Sequence, residues 1–94
     1  MQPVYGRLES KDPRAPKPIY VLIESEERIS IYTEPNFTLI NFIGYIGNER
    51  KLKRLKRGFL FSTFELKFAE DAKIEYATDN KFGDFLNLFI SQAR

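Results

Sequence analysis

The length, composition and charge of the chain fit one small folded domain. Its 94 residues are 43% hydrophobic and 30% charged, a balance typical of a folded soluble domain rather than of a disordered segment. The lack of Cys and His excludes a disulfide framework and the usual zinc sites, and no stretch approaches the length of a membrane span. We therefore expect residues 1–94 to form a single cytoplasmic domain without a metal or other cofactor.

The basic residues are concentrated in one segment of the chain. Residues 50–57, RKLKRLKR, contain six of the 15 Lys and Arg residues and no acidic residue, although the net charge is only +2. Nine basic residues then remain against 13 Asp and Glu elsewhere. The sequence predicts an acidic domain with one basic segment, not a generally basic binder of polyanions. We call its cations the basic strip: Arg50, Lys51, Lys53, Arg54, Lys56 and Arg57.

The first half of the chain indicates short strands separated by polar turns. An apolar segment at 3–9 precedes a proline-rich loop at 10–18, and strands are predicted at 19–24 and 28–33. In the second of these strands Ile29 and Ile31 are predicted to face inward. A longer β-type run covers TLINFIGYI. The proline-rich loop carries three cations that are further candidate binding residues: Lys11, Arg14 and Lys17.

The second half continues with strands and ends in a helix. Strands are predicted at 59–68, where the alternation predicts Phe64, Leu66 and Phe68 on one face, and at 73–78, with Ile74 and Tyr76 inward. In the helix predicted at about 80–93, apolar residues recur at the spacing of one helical face: Phe82, Phe85, Leu86, Phe89, Ile90 and Ala93. Its N-cap is predicted to be Thr78, Asp79 or Asn80. About seven strands followed by a helix that covers their open side is the expected architecture.

Six segments, taken in order, carry a resemblance to a known family: YGRLES at 5–10, IYVLIESEERISIY at 19–32, TLINFIGYI at 38–46, TFELKF at 63–68, AKIEYAT at 72–78 and F-x-x-F-L-x-x-F at 82–89. Together they resemble the pleckstrin homology domain. This resemblance implies a mainly β fold, a seven-stranded antiparallel sandwich or partial barrel capped by one C-terminal α-helix. Phe85 stands where the family's helix usually has a Trp.

The resemblance also bears on lipid binding. Members that hold phosphoinositide headgroups use a first-strand Lys, a second-strand Arg and a third-strand Tyr, and the matching positions here are Ser10, Pro18 and Ile31. None of these supplies the cation or phenol that would contact phosphate. Many members act instead as protein-docking surfaces, so the resemblance implies docking rather than tight headgroup selection.

Two interpretations of the basic strip stay open at this point. It is either a solvated connector that Leu52 and Leu55 anchor to the core, or a contact for an acidic surface such as an anionic leaflet. The cations of the proline-rich loop would add to it only if the two segments lie on one face of the fold.

The functional hypothesis is a non-catalytic, adaptor-type docking module for signalling. It would bind a protein partner, with at most weak association with acidic phospholipid at the periphery of a membrane. One alternative is a selective phosphoinositide-binding domain with a rearranged site. A second is a nucleic-acid-binding small β-barrel, which is disfavoured because the aromatic residues are predicted to lie in the core. Catalysis is not expected, because the carboxylates at 24–27 and 70–71 fall in predicted turns.

Overall fold

The computed structural model describes residues 2–15, 17–47 and 50–92, which form seven strands followed by one helix. The strands are β1 Val4–Leu8, β2 Ile19–Ser25, β3 Arg28–Tyr32, β4 Phe42–Ile46, β5 Leu52–Arg57, β6 Phe61–Ala69 and β7 Ala72–Asp79. A short 3₁₀ helix, Leu39–Asn41, precedes β4, and helix α1 spans Asn80–Gln92. The predicted helix end at Ala93 lies outside the described residues. The predicted mainly β architecture of seven antiparallel strands and one C-terminal helix is confirmed.

The strands form two antiparallel sheets, and backbone hydrogen bonds join these sheets beside β1. Sheet A contains β1, β2, β3 and β4 in that order, and sheet B contains β5, β6 and β7. Beside β1, the backbones of Glu9 and Ala77 exchange two hydrogen bonds of 2.8 and 2.7 Å. At the opposite side no strand ladder joins β4 to β5 within the described part of the chain. The structure is therefore a partial barrel and not a closed one.

Alternation along the strands places the core between the two sheets. The strand residues predicted to face inward are almost all buried: Ile29, Ile31, Phe64, Leu66, Ile74 and Tyr76. The prediction for Phe68 is wrong, since its side chain is exposed. A β-bulge interrupts the β6–β7 pairing at this residue and ends the alternation.

Helix α1 covers sheet B with the apolar stripe that the sequence predicts. Asp79 is its N-cap, because its Oδ1 accepts a hydrogen bond of 2.8 Å from the backbone N–H of Phe82. The stripe is buried at Phe82, Leu86, Phe89 and Ile90, and Phe85 is half-buried beside Phe89.

Four of the six cations of the basic strip lie in a strand and not in a connector. Residues 52–57 pair with β6 as strand β5, an edge strand of sheet B. Of the two predicted anchors, Leu52 is fully buried, whereas Leu55 is exposed. Leu55 is the extra residue of a β-bulge between Arg54 and Lys56, so its side chain does not follow the alternation that Leu52 begins.

The bulge turns two arginines of β5 to the same side of the sheet. Arg54 lies opposite Phe64 and Arg57 opposite Ser62, and both partner residues are buried on the face that α1 covers. Residues three apart in a regular strand would point to opposite faces. The extra residue therefore directs both guanidinium groups toward the helix.

Both arginines bind Asp84 of α1, an arrangement that we call the Asp84 clamp. Arg54 Nη1 donates to Asp84 Oδ1 over 2.6 Å, and Arg57 donates from Nε and Nη2 to the two carboxylate oxygens over 2.8 and 3.0 Å. The hydrogen bonds from Arg57 and Arg54 lower the pKa of Asp84 to about 2. The clamp ties the helix to the edge strand of sheet B.

Gly6 of β1 lies against the helix. A Cβ at this position would overlap the ring of Phe82. Gly6→Ala is expected to destabilise the domain by about 1–3 kcal/mol, because the added methyl group must displace that ring. Urea unfolding followed by circular dichroism measures the change. Gly47→Ala is the matched control, since a Cβ placed there would have no atom within 4 Å among the described residues beyond its chain neighbours. Equal stability of the two variants would contradict the close packing of Phe82 against β1.

Asp84→Asn keeps the shape of the clamp carboxylate and removes its charge. We expect a lower urea midpoint than in the wild type at neutral pH and low salt, by a modest amount because all three side chains are partly exposed. The pKa of Asp84 falls from 3.8 to about 2 on folding. The clamp therefore contributes its full stabilisation at pH values above 3.8, the pKa of the unfolded state. This contribution is lost as the pH falls through about 2, and the difference between the two proteins should shrink over that interval.

The control for the clamp variant is Asp71→Asn in the β6–β7 turn. Asp71 has no ion-pair partner within the described ranges. Its variant should unfold at the wild-type midpoint. If Asp84→Asn behaves like Asp71→Asn at every pH, the clamp does not hold the helix.

Candidate functional site

Once Arg54 and Arg57 are bound in the Asp84 clamp, few cations of the basic strip are open to a ligand. Lys53 lies on the opposite face of β5 from the clamp, with its Nζ 4.0 Å from Glu65. Lys51 and Lys56 are exposed and have no ion-pair partner in the residues that the structure describes. Arg50 is exposed in the turn before β5. The strip is thus divided between a structural role and a small exposed group of lysines.

The proline-rich loop likewise holds its arginine in internal contacts. Arg14 donates to the carboxylate of Asp12 from Nε over 3.1 Å and from Nη2 over 2.8 Å. Its Nη2 also donates to the backbone carbonyl of Lys73 over 2.8 Å. Hydrogen bonds from Arg14 lower the pKa of Asp12 to about 2. Lys11 and Lys17 are exposed.

The loop and the strip lie at opposite edges of sheet B. Ser10 and Arg14 bond to carbonyls of β7, whereas the strip is β5, and β6 separates the two strands. Two strand spacings amount to about 10 Å. The structure therefore does not bring the two predicted cation groups together into one pocket, and their role in binding stays a prediction.

The positions that the resemblance assigns to a lipid headgroup are occupied by other contacts. Ser10 Oγ donates to the carbonyl of Glu75 over 2.6 Å, Pro18 is half-buried and Ile31 is buried in the core. None of the three presents a positive charge or a phenol.

An open groove of about 920 Å³ runs beside β7, from Lys11 at one end to Leu60 and Phe61 at the other. Its charges are mixed. Arg7 is paired with Glu9 over 2.8 Å, and further carboxylates lie along the same wall. Such a lining does not favour a phosphate group.

The outer face of sheet A carries a continuous row of aromatic rings. Ring centroids are 5.1 Å apart for Tyr5 and Phe37, 5.1 Å for Phe37 and Tyr32, 5.6 Å for Tyr32 and Phe42, and 4.9 Å for Phe42 and Tyr45. All four contacts are edge-to-face, a favourable geometry for aromatic pairs. We call these five residues the aromatic face.

This face has a buried base and exposed ends. Tyr5, Leu22, Ser30 and Tyr45 lie side by side across the four strands. The two middle residues are buried, whereas Tyr5 and Tyr45 are exposed. The expectation that the aromatic residues belong to the core is therefore wrong for this group. The inward direction of Ile29 and Ile31 already implies that Tyr32 points outward.

The β3–β4 connection adds two aliphatic side chains beside the aromatic face. Leu39 is 90% exposed and Ile40 is 94% exposed, and they lie in the chain between Phe37 and Phe42. The connection is ordered by Asn41, whose Nδ2 donates to the carbonyl of Asn36 over 3.0 Å and whose own carbonyl accepts from the N–H of Thr33 over 2.8 Å. We call Leu39 and Ile40 the connection tip.

Charges near the aromatic face are mostly negative. Glu24 is paired with Arg28 over 3.0 Å, and Arg28 also donates to the hydroxyl of Tyr45 over 2.9 Å. The bond to Tyr45 is the main cause that raises the pKa of Arg28. The other charged residues of the adjoining turns are exposed carboxylates: Glu26, Glu27 and Glu34.

In the ranges that the structure describes, no cluster of acidic side chains could hold a metal ion, and no helix is long and apolar enough to cross a bilayer. Comparison of the chain with family models, with curated proteins and with solved structures gives no match. Membership of the pleckstrin homology family therefore stays a prediction.

Proposed function

We propose that this domain is a non-catalytic docking module that binds a protein partner through the aromatic face and the connection tip. The observation that carries the proposal is an apolar surface on the side of sheet A that faces away from the core. An antiparallel sheet with one buried face usually has polar residues on the other. Large apolar patches on a surface are typical of interaction sites.

The composition of the surface favours a protein as its partner. Tyrosine and phenylalanine are enriched in protein interfaces, where partly buried rings act as anchors. Tyr5 and Tyr45 each expose part of a ring whose other edge is already packed, so little side-chain freedom is lost on binding.

The charges near the aromatic face indicate what kind of protein would bind there. The carboxylates of Glu26, Glu27 and Glu34 favour a partner whose apolar contact residues are surrounded by Lys or Arg. The same carboxylates repel phosphate groups, which disfavours both nucleic acid and an anionic leaflet at this face. The rings also contact one another edge-to-face, and they do not form the open stacking platform that single-stranded nucleic acid requires.

The lipid part of the proposal is weak attraction to acidic phospholipid. Two of the strip arginines are bound by Asp84, which leaves mainly lysines for a headgroup, and Lys is a less specific phosphate ligand than Arg. Selective phosphoinositide binding is therefore the less supported alternative. A catalytic role is not proposed, since the carboxylates of both sequence clusters lie at or beside hairpin turns.

Selection from a displayed library of random peptides tests the docking proposal. Peptides enriched on the wild-type domain should contain apolar residues together with Lys or Arg. Their affinity should fall about tenfold or more for the double variant Leu39→Ser and Ile40→Ser, which removes exposed side chains and leaves the core intact.

The matched control is the double variant Lys51→Gln and Lys56→Gln, which alters exposed residues of the strip. The enriched peptides should bind it as they bind the wild type. Enrichment of acidic peptides that require Lys51 and Lys56 would contradict the proposal, and so would equal binding to the connection-tip variant.

A further inference from the structure

The turn between β5 and β6 projects three consecutive apolar side chains. Phe59 is 96% exposed, Leu60 is 72% exposed, and Phe61 is exposed at the start of β6. We call these three residues the apolar tip. Most of their surface touches nothing else in the domain, so packing of the core does not account for them.

Asn80, at the start of α1, makes hydrogen bonds to the backbone and side chains around the apolar tip. Its Nδ2 donates to the carbonyls of Gly58 and Phe59 over 2.9 and 3.0 Å, and its Oδ1 accepts from Ser62 Oγ over 2.8 Å. The N–H of Gly58 also donates to the carbonyl of Phe61 over 2.9 Å, and a Cβ on Gly58 would lie 2.7 Å from that oxygen. The turn is therefore ordered while its side chains stay in water.

Two exposed lysines are close in the chain to the residues that form and brace the apolar tip. Lys56 precedes the turn by two residues, and Lys81 follows the bracing Asn80. Neither lysine has an ion-pair partner among residues 2–15, 17–47 and 50–92. Two acidic side chains of the adjoining helix start have partners within the domain, because Asp79 caps the helix and Asp84 is bound by two guanidinium groups.

We propose that the apolar tip inserts into the interfacial region of a bilayer that contains anionic lipids. Phe59 and Leu60 would enter the boundary between headgroups and acyl chains, and Lys56 and Lys81 would contact the negative surface behind them. The hydrogen bonds of the turn favour insertion, because they reduce the backbone ordering that binding would require. A protruding turn with apolar residues in front and cations behind fits a leaflet better than it fits the flat face of a protein.

This proposal does not depend on the aromatic face, and it does not require headgroup selection. Insertion at the β5–β6 turn involves neither Ser10, Pro18 nor Ile31. It differs from a purely electrostatic contact of the basic strip in one measurable respect. Burial of Phe59 and Leu60 should keep part of the binding resistant to salt.

A tryptophan introduced by the substitution Phe59→Trp reports the insertion directly, since the natural chain has no Trp. The probe is a vesicle of phosphatidylcholine with about 30% phosphatidylserine, and the reference is a vesicle of phosphatidylcholine alone. With the anionic vesicles, the emission of Phe59→Trp should shift to shorter wavelength and should be quenched by brominated acyl chains. Leu39→Trp, at the other exposed apolar turn, should show neither change.

Co-sedimentation with the same vesicles measures the contribution of each group. The double variant Phe59→Ser and Leu60→Ser should lower the partition coefficient about tenfold, and a matched variant, Leu39→Ser with Ile40→Ser, should leave it unchanged. Lys56→Gln with Lys81→Gln should weaken binding to anionic vesicles at low salt. Circular dichroism verifies that each variant is folded.

Three outcomes would overturn the proposal. They are no quenching of the tryptophan in the Phe59→Trp variant, binding that the Phe59 and Leu60 serine variant retains in full, and binding that disappears entirely in high salt. The last two would assign the lipid contact to the basic strip alone. Peptide binding to the aromatic face is measured without vesicles, so failure of either proposal leaves the other intact.

Discussion

Sheet A carries large apolar side chains on both faces, and sheet B and helix α1 pack on one of them. Sheet B and helix α1 bury the face that carries Ile29 and Ile31. Within the described residues, the other face carries its own aromatic rings, and Phe37 from the β3–β4 connection packs on them. A domain of 94 residues has a large surface relative to its volume and few residues to spare for a second layer. Because so few residues are available to cover it, the aromatic face stays at the surface. The docking proposal is based on this exposed face.

The basic strip has a physical explanation within the fold. It forms the edge strand of sheet B, and lysines on an edge strand oppose pairing with a second sheet. The bulge at Leu55 then turns Arg54 and Arg57 toward the helix, where Asp84 binds both. Most of the basic residues that suggest a polyanion ligand in the sequence therefore have a structural role. The lysines protect the edge strand, and the two arginines bind the helix. Of the exposed lysines that remain, Lys56 is two residues from the turn that carries the apolar tip, where it can assist an apolar contact.

The sequence predicts the strands, the helix and most of the core, because these depend on local periodicity. Ile29 and Ile31 face inward as their alternation predicts, and the helical stripe from Phe82 to Ile90 is buried. The bulges at Leu55 and Phe68 are not predictable in this way, since an extra residue in one strand is recognised only from its partner strand. The aromatic face is not predictable from the sequence for a related reason. Composition alone does not distinguish a ring in the core from a ring on an apolar outer face, and Phe37 joins that face through a loop.

The central claim is that an apolar surface, and not the basic strip, is the principal open contact surface of the free domain. Methyl-detected nuclear magnetic resonance with a soluble paramagnetic agent tests it most directly. The methyl signals of Leu39 and Ile40 should broaden as strongly as those of Leu60, and those of Ile29 should stay sharp. If Leu39 and Ile40 are instead protected to the same degree as Ile29, another part of the domain covers this surface and the account is contradicted.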